Sequence, residues 1–467
     1  MKLYSTNNRN ELVGFQQAVF QSLPKDMGLY MMNELTKMDD DFIAHIEEYS
    51  FQEIAQKISL HLLKDEIPAD DLTQLVEEAI NFPAPLKFLE KDLAVLELFH
   101  GPSLAFKDFG ARFMSRIMGY FNQKNDQVLD ILVATSGDTG GAVALGFLGV
   151  EGTRVTILYP KGKVSPIQEL QLTTNENNIR AIEVEGTFDD CQALVKKAFV
   201  DDELNNELNL TSANSINIAR LIPQAFYYFE AYAQAKRKGF DKVSFVVPSG
   251  NFGNIGAGVL ANKLGLPVKQ FIAATNANDT VPRFLASDSY VPHQTIPTFS
   301  NAMDVSNPSN WVRIMELFNQ DVEQLKQLIQ SKAYSDAETI KAIEEVYSTY
   351  QYIACPHTAI AYLAAKEYQQ SQKGQNEATL FLSTAHPCKF PDVFPNEIKQ
   401  AIQLPDSVKE LENRMLNPDA LSQNLTSFYM GWLQYLNGTD LTSEKVRCEE
   451  TFNDFMQAQF NQVAILN

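Results

Sequence analysis

Hydrophobic and polar positions follow two different patterns along the chain, and the change lies near residue 90. In FQQAVFQSLP and TQLVEEAI, apolar residues recur every three or four positions, which is typical of amphipathic helices. The stretch INFPAPLKF contains two prolines and predicts a linker or a domain boundary. Residues 1–90 are therefore predicted to form a mostly helical N-terminal domain.

Beyond the linker, short apolar runs alternate with helical patterns. The predicted strands are LAVLELF (93–99), VLDILVAT (128–135), TRVTILYP (153–160), IRAIEVEG (179–186), KVSFVVP (242–248) and VKQFIAAT (268–275). Thr187 and Asp190 predict a capping box at the start of one intervening helix. Strands that alternate with helices predict an α/β fold of parallel sheets with helices on both faces. We place domains at 91–235 and 236–440, and a weakly patterned tail at 441–467.

Composition and charge narrow the classes of function. The chain has 467 residues, of which 45% are hydrophobic and 21% charged, as in ordinary globular proteins of several domains. A net charge of −20 argues against a nucleic-acid partner, because it leaves no domain-wide basic surface. A local cationic pocket for a small anion remains compatible with it.

Cysteines and apolar runs predict the compartment. Four scattered cysteines do not form the pattern of a disulfide framework. The N-terminus lacks a basic region followed by an apolar core, and no apolar run approaches the ~20 residues of a membrane helix. We expect a reduced, cytoplasmic protein with no membrane segment.

The first candidate ligand loop is TSGDTGG, residues 135–141, which follows a predicted strand. In open α/β sheets, ligands bind at the carboxyl ends of strands. Ser136, Thr139 and the neighbouring backbone amides suit an anion at a helix N-terminus. The alternative is a tight strand-to-helix turn without a ligand.

A second glycine-rich loop, PSGNFGNIGAG, spans residues 248–258. Gly250, Asn251, Gly253 and Asn254 offer backbone amides with little steric cover, which favours a phosphate. No Gly-Lys-Ser/Thr follows, and the spacing is not G-x-G-x-x-G. The pattern therefore indicates a phosphate that does not belong to a nucleotide bound by either of those motifs.

An unusual lysine completes the set, because Lys107 lies between Phe106 and Phe109 in FHGPSLAFKDFG. A desolvated lysine has a lowered pKa and forms Schiff bases with carbonyl compounds. The alternative is a stem that packs on the rings while the ammonium reaches water. Taken with a phosphate loop and an anion loop, the lysine indicates pyridoxal phosphate as cofactor.

Several motifs together resemble the threonine synthase family of fold-type II pyridoxal-phosphate enzymes, in its shorter type with an N-terminal helical domain. They are FHGPSLAFKDFG, TSGDTGG, SANSINIARLIPQ, PSGNFGN, SNAMDVSNPSNW and STAHPCKF. The order is that of the family, and the resemblance covers about residues 1–430. It implies the tryptophan-synthase-beta-like fold. The tail from about 437 has no counterpart that we can place.

The resemblance also implies cofactor contacts. Lys107 would bond covalently to the cofactor aldehyde, and Thr384 would face the pyridine nitrogen. The cofactor phosphate would bind the loop residues Gly250, Asn251, Phe252, Gly253 and Asn254. Residues 91–235 would then carry the lysine and the substrate, and residues 236–440 the cofactor phosphate. Asp138 stands where many fold-type II relatives have asparagine, which favours the threonine synthase branch.

The implied substrate is O-phospho-L-homoserine, which carries a second phosphate. Candidate phosphate ligands in NSINIAR are Ser215, Asn217 and Arg220, since arginine binds phosphate in a bidentate manner. The substrate carboxylate region would be lined by Ser136, Asp138 and Thr139. The implied reaction eliminates phosphate from Cγ and adds water at Cβ, giving L-threonine and phosphate in the last step of threonine biosynthesis. The expected protein is a monomer or homodimer.

Other functions stay open at this point. A phospholyase would convert the same substrate to 2-oxobutanoate, and a nucleotide-binding oxidoreductase would lack pyridoxal absorbance. A catalytically inactive relative conflicts with the retained Lys107. Cys355, His357, His386 and Cys388 have the residue types of a zinc site but tighter spacing than usual, so we predict no metal. His100 is interpreted as a hydrogen-bonded pocket wall.

Overall fold

A computed structural model describes most of the chain. The described residues are 1–123, 127–175, 177–201, 204, 208–372, 376–415 and 425–428. The predicted C-terminal tail, 441–467, lies outside them. Among the described residues, no helix is long and apolar enough to cross a membrane.

The larger sheet has six strands. In spatial order they are Ile329–Ala333, Val268–Thr275, Val243–Pro248, Ala378–Ser383, Leu93–Glu97 and Leu86–Phe88. The pairings are parallel except the last, which is antiparallel. Its four central strands are buried almost throughout, as expected for a parallel sheet with both faces covered. Residues 86–88, at the end of INFPAPLKF, thus form an edge strand and not a linker, whereas the boundary prediction for this stretch is not contradicted.

The smaller sheet has five parallel strands. In spatial order they are Leu425–Phe428, Ile179–Val184, Thr153–Pro160, Leu129–Ala134 and Asn209–Ser212. The carboxyl ends of Leu129–Ala134 and Val243–Pro248 both lead into glycine-rich loops. These two loops therefore open from the equivalent edges of the two sheets.

Helices fill the connections between strands. In chain order the α-helices are Phe15–Gln21, Asp40–Ala44, Phe51–Leu63, Ala69–Ala79, Lys107–Asn122, Asp138–Phe147, Pro166–Thr173, Phe188–Val200, Ile218–Leu221, Phe226–Arg237, Gly253–Lys263, Thr280–Ser287, Trp311–Leu317, Val322–Leu328, Asp336–Tyr350, Pro356–Ser371, Asn396–Ala401 and Asp406–Met415. Short 3-10 turns cover Ile46–Glu48, Ile222–Ala225, Asn301–Met303 and Pro387–Lys389. The capping box of Thr187 and Asp190 is confirmed at the start of Phe188–Val200.

The N-terminal region contains more than helices. Lys2–Ser5 pairs with Asn8–Gly14 and with Tyr30–Met32 in a small antiparallel sheet that the sequence pattern did not predict. Lys2–Ser5 and Tyr30–Met32 are short, and Asn8–Gly14 is mostly exposed and polar, so these strands lack the apolar runs that identify the other strands. The predicted helices at FQQAVFQ and TQLVEEA are present.

The domain boundaries proposed from the sequence stay predictions. The strand pairings show how segments of the predicted domains are joined in one sheet. Leu93–Glu97 belongs by sequence to the predicted domain 91–235, yet it pairs with Ala378–Ser383 in the larger sheet. The segment that carries Lys107 therefore starts on one sheet and continues to the other. Residues from both parts of the chain meet at this crossing.

Candidate active site

A cavity of ≈ 2110 Å³ lies where the carboxyl ends of the two sheets meet. Its wall includes the strand ends Ala134, Pro160, Ser212 and Pro248. Every residue predicted for the site lines this cavity except Asn217. Predicted site residues from five separate sequence motifs are therefore brought together at one place.

Lys107 is the first residue of the helix Lys107–Asn122, and its half-buried side chain lines the cavity. Burial lowers the pKa of Lys107 to about 8, with Asp138 opposing this change and the cations Arg220 and Lys389 adding to it. A substantial fraction of such an amine is neutral near pH 8, and the neutral amine is the nucleophile.

The two phenylalanines beside Lys107 have different surroundings. Phe106 is half-buried and lines the cavity, whereas Phe109 has no exposed surface and packs against Phe82 and Tyr227 at ring distances of 4.6 and 5.1 Å. Phe109 anchors the helix in the core. The desolvation of Lys107 therefore comes from its position in the cavity wall. It does not come from packing against the ring of Phe109.

The TSGDTGG loop is held in one conformation by its own residues. The hydroxyl of Thr135 accepts hydrogen bonds from the N–H groups of Gly137 and Gly140 at 2.9 and 2.8 Å. Gly137 has a φ of +130°, and a Cβ there would lie 2.4 Å from Cδ of Gln168. The loop leaves Ser136 and Thr139 half-buried in the cavity wall, at the N-terminus of the helix Asp138–Phe147.

Asp138 is buried and carries an ion pair that the sequence analysis missed. Nζ of Lys389 lies 2.7 Å from Oδ1 of Asp138, and Nε2 of Gln168 donates to the same oxygen at 2.8 Å. Burial alone would raise the pKa of Asp138, but Lys389 and Lys107 lower it well below its usual range. Asp138 is therefore an anion. Lys389 lies in the quoted STAHPCKF motif, but nothing in the local pattern shows that its side chain is buried.

The PSGNFGN loop lines the same cavity as the TSGDTGG loop. A Cβ at Gly250 would lie 2.5 Å from Cα of Met303, so this position has room only for glycine. Phe252 adopts the left-handed conformation with φ of 57° and precedes the helix Gly253–Lys263. The first N–H groups of an α-helix have no acceptor within it, and Gly253 and Asn254 supply two of them. The loop therefore presents donors to an anion.

Two asparagines fix and extend this loop. Nδ2 of Asn251 donates to Oγ of Ser215 at 2.8 Å, and Oδ1 of Asn251 accepts from the N–H of Ser309 at 2.6 Å. Oδ1 of Asn254 accepts hydrogen bonds from the hydroxyls of Tyr227 and Tyr228, both at 2.7 Å. These bonds orient the amide, yet Nδ2 of Asn254 is buried and has no hydrogen-bond partner within the described part of the chain.

The NSINIAR segment is divided between the cavity and the core. Ser215 and Arg220 line the cavity. Nη1 of Arg220 donates to the carbonyl of Ala213 at 2.5 Å, and Nε of Arg220 is buried with no hydrogen-bond partner among the residues that the structure describes. The amide of Asn217 donates to Val19 and Ser22 in the N-terminal region, so the structure does not bring its side chain to the cavity. Its predicted contact with the substrate stays a prediction.

Thr384 follows the strand Ala378–Ser383 and is buried in the cavity wall. Its carbonyl accepts a hydrogen bond from the N–H of Phe106 at 2.8 Å, and Ala385 forms an isolated bridge with Ala105. The hydroxyl predicted to face the pyridine nitrogen is thus fixed relative to the chain at Lys107.

The four candidate zinc ligands do not converge. The described part of the chain contains no group of three or more His, Cys, Asp or Glu residues arranged to hold a metal. His357 lines the cavity, its ring packs on Phe390 at 4.9 Å, and burial lowers its pKa to about 4. Nδ1 of His386 instead accepts from the N–H of Cys388 at 3.2 Å. His100 pairs with Glu97 at 2.8 Å and lines a separate pocket that does not include Lys107.

The residues present fit pyridoxal phosphate. The unpartnered Nδ2 of Asn254 and the open amides beside Gly250 suit a phosphate, since buried donors need acceptors. Lys107 provides an amine of lowered pKa on the same cavity. The protein thus has a group for each end of the cofactor: an amine for its aldehyde and donors for its phosphate.

Comparisons with known proteins agree with this geometry. The family model described as "Pyridoxal-phosphate dependent enzyme" matches residues 81–384, and those described as "Threonine synthase N terminus" and "Threonine synthase, C-terminal" match 2–80 and 358–426. The chain belongs to the threonine synthase family. Its cofactor is pyridoxal phosphate.

Individual members of the threonine synthase family are similar over most of their length. The threonine synthase of Serratia marcescens is 48% identical over 408 residues, covering 87% of this chain and 93% of that protein. The crystal structure of threonine synthase from Escherichia coli has a TM-score of 0.83 at 44% identity, covering 94% and 99% of the two chains. The crystal structure of a PLP-bound threonine synthase from Brucella melitensis has a TM-score of 0.82 at 34% sequence identity, covering 92% of this chain and 96% of that one.

Proposed function

We propose that this chain converts O-phospho-L-homoserine and water into L-threonine and inorganic phosphate. The observation that carries the proposal is the position of Lys107 on the same cavity as the donor loop at Gly250–Asn254 and the anion loop at Ser136–Thr139. In this proposal the loop at Gly250–Asn254 serves the cofactor phosphate and the loop at Ser136–Thr139 serves the substrate carboxylate, so both anions would bind beside the reactive amine.

The proposed contacts follow from what each side chain can donate. The hydroxyls of Ser136 and Thr139, with the helix N-terminus behind them, suit the substrate carboxylate. Arg220 and Ser215 suit the phosphate that leaves Cγ, because Nε of Arg220 is buried without an acceptor. Asn217 is the weakest of the proposed contacts, since its amide is already bonded within the protein.

Lys107 is the proposed base. Its lowered pKa leaves the amine free to take the Cα proton and return it at the end of the reaction. The same flexible side chain is long enough to serve Cβ as well. Bound pyridoxal phosphate supplies the electron sink that makes these protons acidic.

Product analysis tests the proposal. Purified protein is incubated with pyridoxal phosphate and O-phospho-L-homoserine, and phosphate, threonine and 2-oxobutanoate are measured together. We expect one threonine per phosphate. Phosphate matched by 2-oxobutanoate would replace the proposal with a phospholyase, and no phosphate release would refute both. The predicted cytoplasmic location and the predicted monomer or homodimer stay predictions.

A further inference from the structure

We propose that Lys389 is a positioning residue that takes up the negative charge of Asp138, so that Lys107 stays neutral enough to react. This inference rests on the proposed function, in which Lys107 is the cofactor lysine. Lys389 is not among the site residues predicted from the sequence.

The environment of Lys389 is unusual for a lysine. It ends the 3-10 turn Pro387–Lys389, shortly after Thr384, and its side chain has no exposed surface. Lysine is almost never fully buried unless it is paired. Here Nζ of Lys389 lies 2.7 Å from Oδ1 of Asp138 and donates to the carbonyl of Ser103 at 2.8 Å.

Neighbouring amides hold this ion pair in one geometry. Nε2 of Gln168 donates to Asp138 at 2.8 Å, and Nε2 of Gln171 donates to the carbonyl of Ser103 at 3.0 Å. Both glutamines lie on the helix Pro166–Thr173 and are buried. The contacts of Asp138 with Lys389 and Gln168 thus involve buried side chains that have little room to move.

Lys107 is left out of this pairing. Its Nζ makes no ion pair with any carboxylate in the described part of the chain, although Asp138 influences its charge. The other charged or titratable groups that face Lys107 are the cations Arg220 and Lys389 and the imidazole of His357. Asp138 is therefore the main charge that would stabilise an ammonium at Lys107, and Lys389 neutralises it at 2.7 Å.

Removing the charge of Lys389 has a definite sign. Without it, a cation that disfavours protonation of Lys107 is lost, and Asp138 keeps a negative charge that Lys107 alone can balance. Both changes favour the protonated form of the lysine nitrogen, whether it is free or bonded to the cofactor. We therefore expect the pH at which this nitrogen loses its proton to rise.

The test is a pH titration of the bound cofactor's absorbance in the holoenzyme, compared with the pH profile of product formation. In Lys389→Met we expect the titration midpoint and the acid limb of kcat to move upward by ~1 pH unit or more, while the KM changes less. Lys399→Met removes an exposed lysine that pairs with Asp392 and is the matched control, with an expected shift near zero. An unshifted midpoint in Lys389→Met with cofactor bound would overturn the proposal.

A second pair of variants decides the case if Lys389→Met binds no cofactor. Asp138→Asn leaves Lys389 as an unpaired cation near Lys107, so its midpoint should fall below that of the wild type. The double variant Asp138→Asn with Lys389→Met removes both charges and leaves no unpaired buried ion. Its titration midpoint should return toward the wild-type value. Equal midpoints in these two variants would also overturn the proposal.

These outcomes are separate from failure of the proposed function. A wild-type protein that shows no cofactor absorbance, or that releases no threonine, would refute the proposed function. A wild-type protein that passes both checks while the variants titrate like it would refute the role of Lys389 alone.

Discussion

The N–H of Phe106 donates a 2.8 Å hydrogen bond to the carbonyl oxygen of Thr384. Phe106, which precedes the reactive lysine, is therefore hydrogen-bonded to Thr384, the residue predicted to face the cofactor ring. Because the bond joins backbone atoms, it is independent of the side chains that do the chemistry. Lys107 and Thr384 are held in register before any ligand binds.

Replacing Lys107 with alanine should abolish turnover and leave the fold intact. We expect kcat to fall by at least ~1,000-fold, since the base and the covalent attachment are lost together. Product release measures the first effect and thermal unfolding the second. Lys399→Ala is the control, and substantial turnover in Lys107→Ala without added amine would refute the role of this lysine.

Replacing Thr384 with aspartate should lower activity by about tenfold or more, equivalent to ~1.4 kcal/mol of barrier. A carboxylate favours a protonated pyridine nitrogen, whereas a hydroxyl does not, so the ring would withdraw electrons differently. The cofactor spectrum should change at the same time. Thr384→Ser keeps the hydroxyl and should retain both. Unchanged kinetics and spectrum in the aspartate variant would argue against the assigned contact.

Replacing Asn254 with aspartate should weaken cofactor binding at least ~10-fold, because it sets a charge against the phosphate in place of an unpartnered amide. The shape is kept, and Oδ1 can still accept from Tyr227 and Tyr228. Equilibrium titration with pyridoxal phosphate measures the change. Asn396→Asp makes the same substitution at an exposed helix start and should have no effect. Equal affinities in both variants would contradict the phosphate assignment.

Gly137→Ala should lower the free energy of unfolding by at least ~2 kcal/mol, because the added Cβ meets Gln168 and the backbone is strained at φ of +130°. Gly162→Ala separates the two causes, since Gly162 also has a positive φ but open space around it. It should cost ~1–2 kcal/mol. Denaturant unfolding measures both, and equal losses would exclude the clash with Gln168.

Asp108 should make stability depend on pH. Burial raises its pKa from 3.8 to about 6, despite the hydrogen bond that its Oδ2 accepts from the N–H of Ser103. The folded state then binds a proton more tightly than the unfolded state, so this residue's stabilisation is present below pH 3.8 and lost as pH rises to 6. Asp108→Asn should gain ~1–3 kcal/mol relative to wild type between pH 4 and pH 7.

Unfolding at several pH values checks this prediction. Asp392→Asn, at an exposed carboxylate, is the control and should follow the wild-type curve. A constant difference between Asp108→Asn and wild type across this range would show that Asp108 ionises as easily in the folded state as in the unfolded one.

Local patterns predicted the strands and the loops that carry the site. Thr153–Pro160 and Val268–Thr275 begin and end where the sequence pattern predicted, because buried parallel strands are rich in apolar residues. The glycine-rich loops could be predicted for the same reason, since a ligand loop follows directly from its strand. Thr384 was added to the predicted site only through the family resemblance, because no local sequence pattern marks a single threonine as a cofactor contact.

Pairing across the chain could not be predicted. Nothing near Lys389 indicates that it meets Asp138, because a lone lysine usually points to water and the carboxylate belongs to another motif. Asn217 was predicted as a ligand by its position in a motif, yet its amide is used to bind the N-terminal region. The small antiparallel sheet was missed because Lys2–Ser5 and Tyr30–Met32 are short and Asn8–Gly14 is mostly exposed and polar, so none of them forms a clear apolar run.

The pairing of Leu93–Glu97 with Ala378–Ser383 bears on how the protein is made. During synthesis the first strand leaves the ribosome long before its partner, at about 5–20 residues per second. This strand edge stays without its partner while more than half of the chain is translated. Contacts between residues so far apart in sequence form slowly. The enzyme can therefore acquire its cofactor site only near the end of translation, when the strand that leads to Thr384 has arrived.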